Sequence, residues 1–551
     1  MRIKRLLLLL VIVFGLLLVR LLQLTVVEGK RYHELSEGQR IRERRIVAPR
    51  GLIKDRNGKV MVRNKPVYKY ENNEEFEMIS HEKALAIEAR GGSEAASLKT
   101  ELIREYVGGK DLAHVIGYTG EVMEEEVKSE KLKVKSYELG DVVGRTGVEE
   151  QYDYLLRGID GKELIETNAL GEPLQILGKI DPQSGQDLIL SIDYALQKKA
   201  AELMEQKKGA VVVSDPKNGE ILALFSSPSF DPRMFVESEE GKDGIEGVLK
   251  DEDQPLFNRV IGGLYPPGSV FKMITAAAGL EEGVIDKKTE IEDVGMIQIG
   301  PYQFGNWFFT QHGKKDGMVD IVKAIKRSND IFFYKTGEML GVEKLAEWGR
   351  KFGIGRISGI DLPGEEKGTM PDPEWREKVK NDKWFLGDTY HLAIGQGDLL
   401  VTPLQVNSWT GVIANGGKLC QPMVRMWEES CQDIGFKEET ITLIREGMKQ
   451  ACEPEGTGWP LFKFKIKSEK LKIDGKNLLN GENGMVEIPT GCKTGTAEFG
   501  DPENKTHAWF TVFAPFEDPE IVVTVLVEAG GEGSYVAAPI AKEILEEYFS
   551  R

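Results

Sequence analysis

A serine and a lysine stand among apolar side chains in "YPPGSVFKMITAAAGLEEG" (265–283), directly after two prolines and a glycine. Val270, Phe271, Met273, Ile274, Ala276, Ala277, Ala278 and Leu280 make the predicted helix apolar on every side, the pattern of a helix buried all round. Ser269 and Lys272 are three residues apart and so share one face. Burial disfavours the charged form of an amine and lowers its pKa from about 10.4. An amine brought toward neutrality can take the proton that a serine hydroxyl must lose before it attacks. The helix N-terminus also aims backbone N–H groups at a developing oxyanion.

Spacing alone does not single out this pair, because Ser-x-x-Lys occurs at Ser80/Lys83, Ser214/Lys217 and Ser269/Lys272. Ser80 opens a charged stretch, where serine serves as a helix N-cap. Lys217 lies in a Pro-Lys-Asn-Gly turn, where it is solvated. Only Ser269 has apolar surroundings. A second hydroxyl for the same amine comes from "AIKRSNDIFFYKTG" (324–337), with Ser328 and Asp330 ahead of an aromatic helix. Ser-x-Asp recurs at Ser191/Asp193, so by itself it reads as a capped helix start. Lys-Thr-Gly, a cation able to hold a carboxylate, occurs at Lys335 and Lys493. Lys335 falls inside the helix after Ser328. Lys493 and Thr494 stand in "CKTGTAEF" between strand-like neighbours, and Gly495 lets a second backbone come close. Together these groups suit acyl transfer from a substrate with an anionic end.

The elements that must position them read as α+β. "YALQKKAAELMEQ" (194–206) is an amphipathic helix, and "AVVVSDPKNGEILALFS" (210–226) is a hairpin. Three strands follow near the C-terminus, in "IPTGCKTGTAEF", "HAWFTVFAP" and "EIVVTVLVE", before a last helix, "APIAKEILEEYFS". The expectation is a five-stranded antiparallel sheet with helices on both faces. Upstream, "LIK" and "VMV" flank a turn at Asp55–Gly58, residues 80–135 read as charged and helical, and turn residues cluster at "DPQSGQD" (181–187).

The 551 residues suit two or three domains, and a net charge of -17 excludes nucleic acid as the main partner. Cys420, Cys431, Cys452 and Cys492 form no CxxC pair, and the histidines show no HxxxH spacing, so neither a zinc site nor a disulfide framework is predicted. Residues 6–19 are uninterruptedly apolar and the run continues after Arg20 as "LLQLTVV" to Val27, long enough to span a bilayer and followed by no small-residue cleavage site. They read as an uncleaved anchor. Arg2, Lys4 and Arg5 favour a cytoplasmic N-terminus, with everything after about residue 28 outside.

Ser-x-x-Lys, Ser-x-Asp and Lys-Thr-Gly, in this order, resemble the motifs of the serine penicillin-recognising enzymes. "PRGLIKDRNG", "GRTGVEEQYDYLLRG", "YPPGSVFK", "AIGQGDLLVTPLQ", "KTGTAE" and "HAWFTVFAP" narrow the resemblance to the class B penicillin-binding proteins. Asp330 stands where the family usually has asparagine. With "FFY" and "WFLGDTYHLAIGQG" it resembles the elongation-type branch, penicillin-binding protein 2, rather than the septal one.

The resemblance implies a transmembrane anchor, an elongated pedestal of dimerisation type and a transpeptidase domain. Their expected bounds are a tail over 1–5, the anchor over 6–27, the pedestal over 28–184 and the transpeptidase over 185–551. It implies that Ser269 is acylated, with Lys272 as general base, Ser328 as proton relay and Asp330 holding Lys272 and the substrate backbone. Lys493, Thr494, Gly495 and Thr496 would bind a D-Ala-D-Ala stem peptide, or a β-lactam as covalent inhibitor. Backbone N–H groups of Ser269 and Thr496 would form the oxyanion hole, and Gly491 and Cys492 would pack the strand. No cofactor or metal is implied. No glycosyltransferase motif precedes residue 185, so a SEDS-family glycosyltransferase and other elongation-complex proteins are the implied partners. A D,D-carboxypeptidase is chemically close, since water only replaces the acceptor amine. A β-lactamase shares the fold but needs neither anchor nor pedestal.

Overall fold

The computed structural model of the chain describes residues 2–32, 41–72, 75–90, 98–129, 137–167, 173–236, 241–426, 430–467, 472–473, 476–477 and 485–551. The chain forms two compact units, one from residues 1–52 and 154–187, the other from 53–153 and 188–551. The helix expected over 80–135 lies partly outside the described residues, at 91–97 and 130–135.

In the first unit a leucine-rich helix, Arg2–Leu22, continues through a π-helical turn, Gln23–Val27. Ile3–Val27, 25 residues, is long and apolar enough to cross a membrane. At 1.5 Å per residue it reaches about 37 Å, against a hydrocarbon core of about 30 Å. Strands Ile41–Ile46, Gly161–Thr167 and Pro173–Ile180 form an antiparallel sheet, the second strand central. Arg44 lies opposite Glu163 there and pairs with it.

The second unit begins with Ile53–Lys54 and Val60–Asn72, flanking the expected turn. The Asp55 carboxylate accepts from the backbone N–H of Asn57 and Lys59 at 2.9 and 2.8 Å, an Asx-type turn. Residues 80–135 are not helical throughout. His81–Arg90 is a helix, but Leu98–Tyr106 is a strand paired with Val60–Asn72, from Tyr70 opposite Leu98 to Val62 opposite Tyr106. Lysine, glutamate and arginine favour helix intrinsically, yet here the cross-strand partners prevail, with Arg63 pairing Glu105 directly opposite. This region is fastened to the rest of its unit by polar contacts. His114 Nε2 donates to the Pro255 carbonyl at 2.9 Å, and Tyr152 Oη to Asp361 at 2.6 Å.

The remainder of the unit carries the expected sheet. In chain order its main elements are α1 (Tyr194–Leu203), β1 (Gly209–Ser214), β2 (Ile221–Ser227), α2 (Lys272–Glu281), α3 (Ile321–Arg327), α4 (Asp330–Leu340), α5 (Pro403–Ala414), α6 (Glu438–Ala451), β3 (Gly491–Glu498), β4 (Thr506–Ala514), β5 (Ile521–Val527) and α7 (Ala537–Phe549). The spatial order is β2-β1-β5-β4-β3, every neighbouring pair antiparallel. β1 and β5 are buried at every position, as strands covered on both faces must be. Val211, Val213, Phe510, Val512, Val523 and Val525 meet Leu196, Ile544 and Leu545 of α1 and α7 on one face. On the other, Asn407 of α5 contacts Ser214 at 2.5 Å and Thr524 at 3.3 Å.

The cysteines correct the sequence reading, because they form two disulfides, Cys420–Cys431 and Cys452–Cys492. Cys420 and Cys431 face each other across two short strands, and Cys452 at the end of α6 reaches Cys492 in β3. Spacing cannot announce partners that only tertiary pairing brings together.

Candidate active site

Ser269 sits not in the α-helix but in a 3-10 turn, Gly268–Phe271, that leads into α2. In that tighter geometry residues i and i+3 eclipse, so Ser269 and Lys272 superpose more directly than an α-turn allows. Gly268 has φ +55°, a left-handed conformation suited to glycine. Its N–H donates to the Gly395 carbonyl at 2.8 Å, so "AIGQG" supports the turn from behind. Ser269 is half-buried, whereas Val270–Leu280 are buried, as the apolar pattern requires.

Beneath it the Lys272 ammonium has no exposed surface and donates to Asp330 Oδ1 at 2.6 Å, to the Ser328 carbonyl at 2.7 Å and to Ser328 Oγ at 3.3 Å. Burial holds its pKa below that of an ordinary lysine, with the Asp330 carboxylate pulling the other way. Ser328 ends α3 at φ +53°, and Asn329 caps α4 by accepting from Phe332 N–H. This sharp turn aims Ser328 Oγ between two amines. The second is Lys493 of β3, also without exposed surface, which donates to Ser328 Oγ and to the Thr494 carbonyl, both at 2.9 Å. Burial first, then the neighbouring Lys272 charge, push its pKa well below the usual value.

Ser269, Ser328, Asp330, Thr494 and Thr496 line one cleft of about 1210 Å³, walled by Phe304, Trp307 and His391. That exceeds a typical small-molecule pocket of roughly 300–1,000 Å³ and suits a longer chain-like substrate. Gly495 is the point where β3 presses on the Ser269 turn. A Cβ there would meet the Pro267 carbonyl at 3.0 Å and Val270 Cγ1 at 3.2 Å. Trp509 Nε1 of β4 donates to the Pro266 carbonyl at 3.0 Å and ties the same two segments.

The competing motif copies have other occupations. Ser80 Oγ accepts from Lys83 N–H at 3.3 Å, the N-cap contact expected of it. Ser214 is held by Asn407, and Lys217 pairs with Asp518 at 2.8 Å. Ser191 Oγ donates to the Ile221 carbonyl at 2.8 Å, while Asp193 caps α1. Lys335 pairs with Glu338 at 2.7 Å. Sequence reasoning missed Trp307, whose backbone N–H donates to Asp330 Oδ2 at 2.9 Å, and its neighbours Asn306 and Asp293. The one sequence signal was an asparagine ahead of the aromatic run "WFF", a cap without an amphipathic helix behind it.

The family model for the penicillin binding protein transpeptidase domain matches residues 209–546, and that for the penicillin-binding protein dimerisation domain matches 68–190. The chain therefore belongs to the penicillin-binding transpeptidase family. Within it the similarities lie with the elongation-type branch, penicillin-binding protein 2. The chain is 35% identical over 463 residues to the peptidoglycan D,D-transpeptidase MrdA of Acinetobacter baumannii, spanning 82% of this chain and 66% of that relative. The structure of the penicillin-binding protein 2 complex with MreC from Helicobacter pylori superposes with TM-score 0.78 at 29% identity, covering 92% of this chain and 98% of that one. A structure reported as "Structural coordination of polymerization and crosslinking by a peptidoglycan synthase complex" gives TM-score 0.78 at 28% identity, covering 100% and 98%.

Proposed function

We propose that this chain is a membrane-anchored serine D,D-transpeptidase that cross-links peptidoglycan stem peptides during cell-wall elongation. One hydroxyl carries the reading: Ser328 Oγ, 3.3 Å from Lys272 Nζ and 2.9 Å from Lys493 Nζ, in the cleft that Ser269 lines. Lys272, in its neutral form, takes the Ser269 proton as Oγ bonds to the carbonyl carbon of a D-Ala-D-Ala peptide bond. The C–N bond breaks, and the departing D-alanine amine receives a proton through Ser328. The amine of a second stem peptide then displaces Ser269 Oγ, loses its own proton to the same relay, and closes the cross-link. Lys493, Thr494, Gly495 and Thr496 hold the terminal carboxylate, and the N–H groups of Ser269 and Thr496 hold the oxyanion.

The N-terminal helix serves as an anchor with its basic end in the cytoplasm and the catalytic domain outside. Residues 28–184 act as the pedestal and 185–551 as the transpeptidase domain. A SEDS-family glycosyltransferase supplies the glycan strands, in keeping with the synthase complex that the chain resembles. Gly15 offers it a close approach point on the helix. Replacing 6–27 with an unrelated span and finding complex formation unchanged would reduce that helix to a tether.

Mass spectrometry after incubation with a penicillin tests the activity. One adduct on Ser269 is expected, absent in Ser269→Ala and retained in Ser80→Ala and Ser214→Ala. An adduct on another serine, or none in the wild type, overturns the reading.

A further inference from the structure

Asp293 belongs to no motif, yet its buried carboxylate gathers four donors, from Gly295, Asn306, Asp316 and Asn329. Oδ1 accepts from Gly295 N–H at 2.8 Å. Oδ2 accepts from Asn306 Nδ2 at 2.8 Å, Asp316 N–H at 2.9 Å and Asn329 Nδ2 at 3.1 Å. Asp293 is 2% exposed, Asn306 0% and Asn329 1%, so the contacts from Gly295 and the two amides are made away from water, while that from Asp316 is part-buried. A carboxylate only accepts, so it turns the NH2 end of both amides toward itself and their carbonyl ends away.

Both carbonyl ends arrive at the second motif. Asn306 Oδ1 accepts from the backbone N–H of Asp330 at 3.1 Å, and Asn329 Oδ1 accepts from Phe332 N–H at 2.9 Å. The same segment adds two more restraints. Trp307 N–H donates to Asp330 Oδ2 at 2.9 Å, and Trp307 Nε1 to the Arg327 carbonyl at 2.9 Å. Asp316 completes the frame by accepting from Arg327 Nε and from Asn329 Nδ2, each at 3.0 Å. Residues 327–330 are thereby gripped on every side around Ser328, whose left-handed φ of +53° persists only if its surroundings over-determine it.

We propose that Asp293 is a positioning residue for acyl transfer, setting Ser328 Oγ and the Asp330 carboxylate through Asn306 and Asn329. The inference rests on the roles proposed above for Ser328 and Asp330. Asp293 orients the two amides, and the amides fix the turn. The turn then delivers one hydroxyl between Lys272 and Lys493 and one carboxylate oxygen to Lys272.

The test measures the acylation rate constant k2 and the dissociation constant Kd for a fluorescent penicillin with the full chain in detergent, alongside melting temperature. Asp361 provides the control. It is also a carboxylate accepting several donors, from Tyr152 Oη and Val424 N–H at 2.6 Å and Arg425 N–H at 2.8 Å, but it does not line the cleft. Asp293→Asn should lower k2 about tenfold and Asp293→Ala about 100-fold, the scale on which loss of supporting partners and a 1 Å misplacement act. Kd should stay within threefold, since neither variant removes a group that touches the ligand. Asp361→Asn should lower the melting temperature while leaving k2 within twofold of wild type. The near-isosteric Asp293→Asn decides the matter if the alanine variant does not fold. A k2 for Asp293→Asn within twofold of wild type, or an equal loss in Asp361→Asn, overturns the inference. A wild type that is never acylated overturns the transpeptidase reading instead.

Discussion

Gly395→Ala should cripple acylation from a position that carries no reactive group. Gly395 has φ +79°, and a Cβ there would lie 2.1 Å from the Gly268 carbonyl oxygen and 2.8 Å from Phe271 Cβ. Ordinary contact begins near 3.4 Å, so the shortfall against the backbone oxygen, 3.4 less 2.1 Å, is about 1.3 Å. Neither partner is the end of a flexible side chain. The turn carrying Ser269 must therefore move bodily, and a displacement of about 1 Å costs on the order of 100-fold in rate. The left-handed backbone adds about 1–2 kcal/mol to the loss of stability. Gly416→Ala separates the two effects, because Gly416 has φ +86° and nothing within 4 Å of its added Cβ. It should share the fall in melting temperature but label at the wild-type rate. Stopped-flow acylation of both variants by a fluorescent penicillin is the assay. Wild-type acylation in Gly395→Ala, or a loss of the same size in Gly416→Ala, would refute the claim that this glycine sets the nucleophile.

Lys272→Arg should lose about 10²–10⁴-fold in k2, the usual contribution of a general base, because a guanidinium cannot be deprotonated in a protein. Lys493→Arg should lose less and mainly in Kd, its charge being kept but its wider head fitting poorly in a site with no exposed surface; reversed sensitivities would show that the two roles are wrongly divided. Asp330→Asn should still acylate: its oxygen can stay on Trp307 N–H while its NH2 donates to a neutral Lys272, and the acid limb of the k2–pH profile should move to lower pH as the charge that raises the Lys272 pKa is lost. An acid limb that stays in place would mean that another group titrates. Buried His114 is pushed down to about 4, so it stays neutral in the fold while the unfolded chain takes up a proton below about 6.5. Stability should therefore fall between pH 6.5 and about 4, by roughly 3 kcal/mol from this group, and His114→Gln should flatten that part of the melting curve against pH. An unchanged slope would assign the acid sensitivity elsewhere.

The buried helix behind Ser269 was readable because burial on every side leaves its own mark, apolar residues at all helical positions, against which Ser269 and Lys272 stand out. The strands of the sheet were readable for the matching reason, since β1 and β5 are covered on both faces and become near-continuous apolar runs. Leu98–Tyr106 was not readable, because Lys99, Glu101, Arg104 and Glu105 break the two-residue alternation on a strand whose partner lies elsewhere in the chain. Asp293, Asn306 and Trp307 escaped for a different reason. Asp293 and Asn306 lie outside helices and strands, Trp307 only opens a six-residue helix, and their importance lies in hydrogen bonds to Asn329 and Asp330, 23 to 36 residues further along and across α3. The Cys452–Cys492 bond likewise joins residues 40 apart whose spacing carries no signature.

Two buried amines on either side of one hydroxyl also set a proton inventory for the cleft. Burial disfavours the charge on both amines, and the Lys272 charge further disfavours that on Lys493, whereas Asp330 favours both, so protons here are held less tightly than on ordinary lysines. On the role proposed for Lys493, a ligand carboxylate arriving there would supply a counter-charge and favour its ammonium form. Association with an anionic peptide should then be accompanied by proton uptake, which calorimetry in buffers of different ionisation enthalpy would detect. By linkage, the apparent affinity for such a ligand should rise as the pH falls, even though the base role proposed for Lys272 needs its neutral form. Capture of the donor and activation of the nucleophile thus pull on the same protons in opposite directions, and the proton brought in on binding is at hand for the amine that leaves.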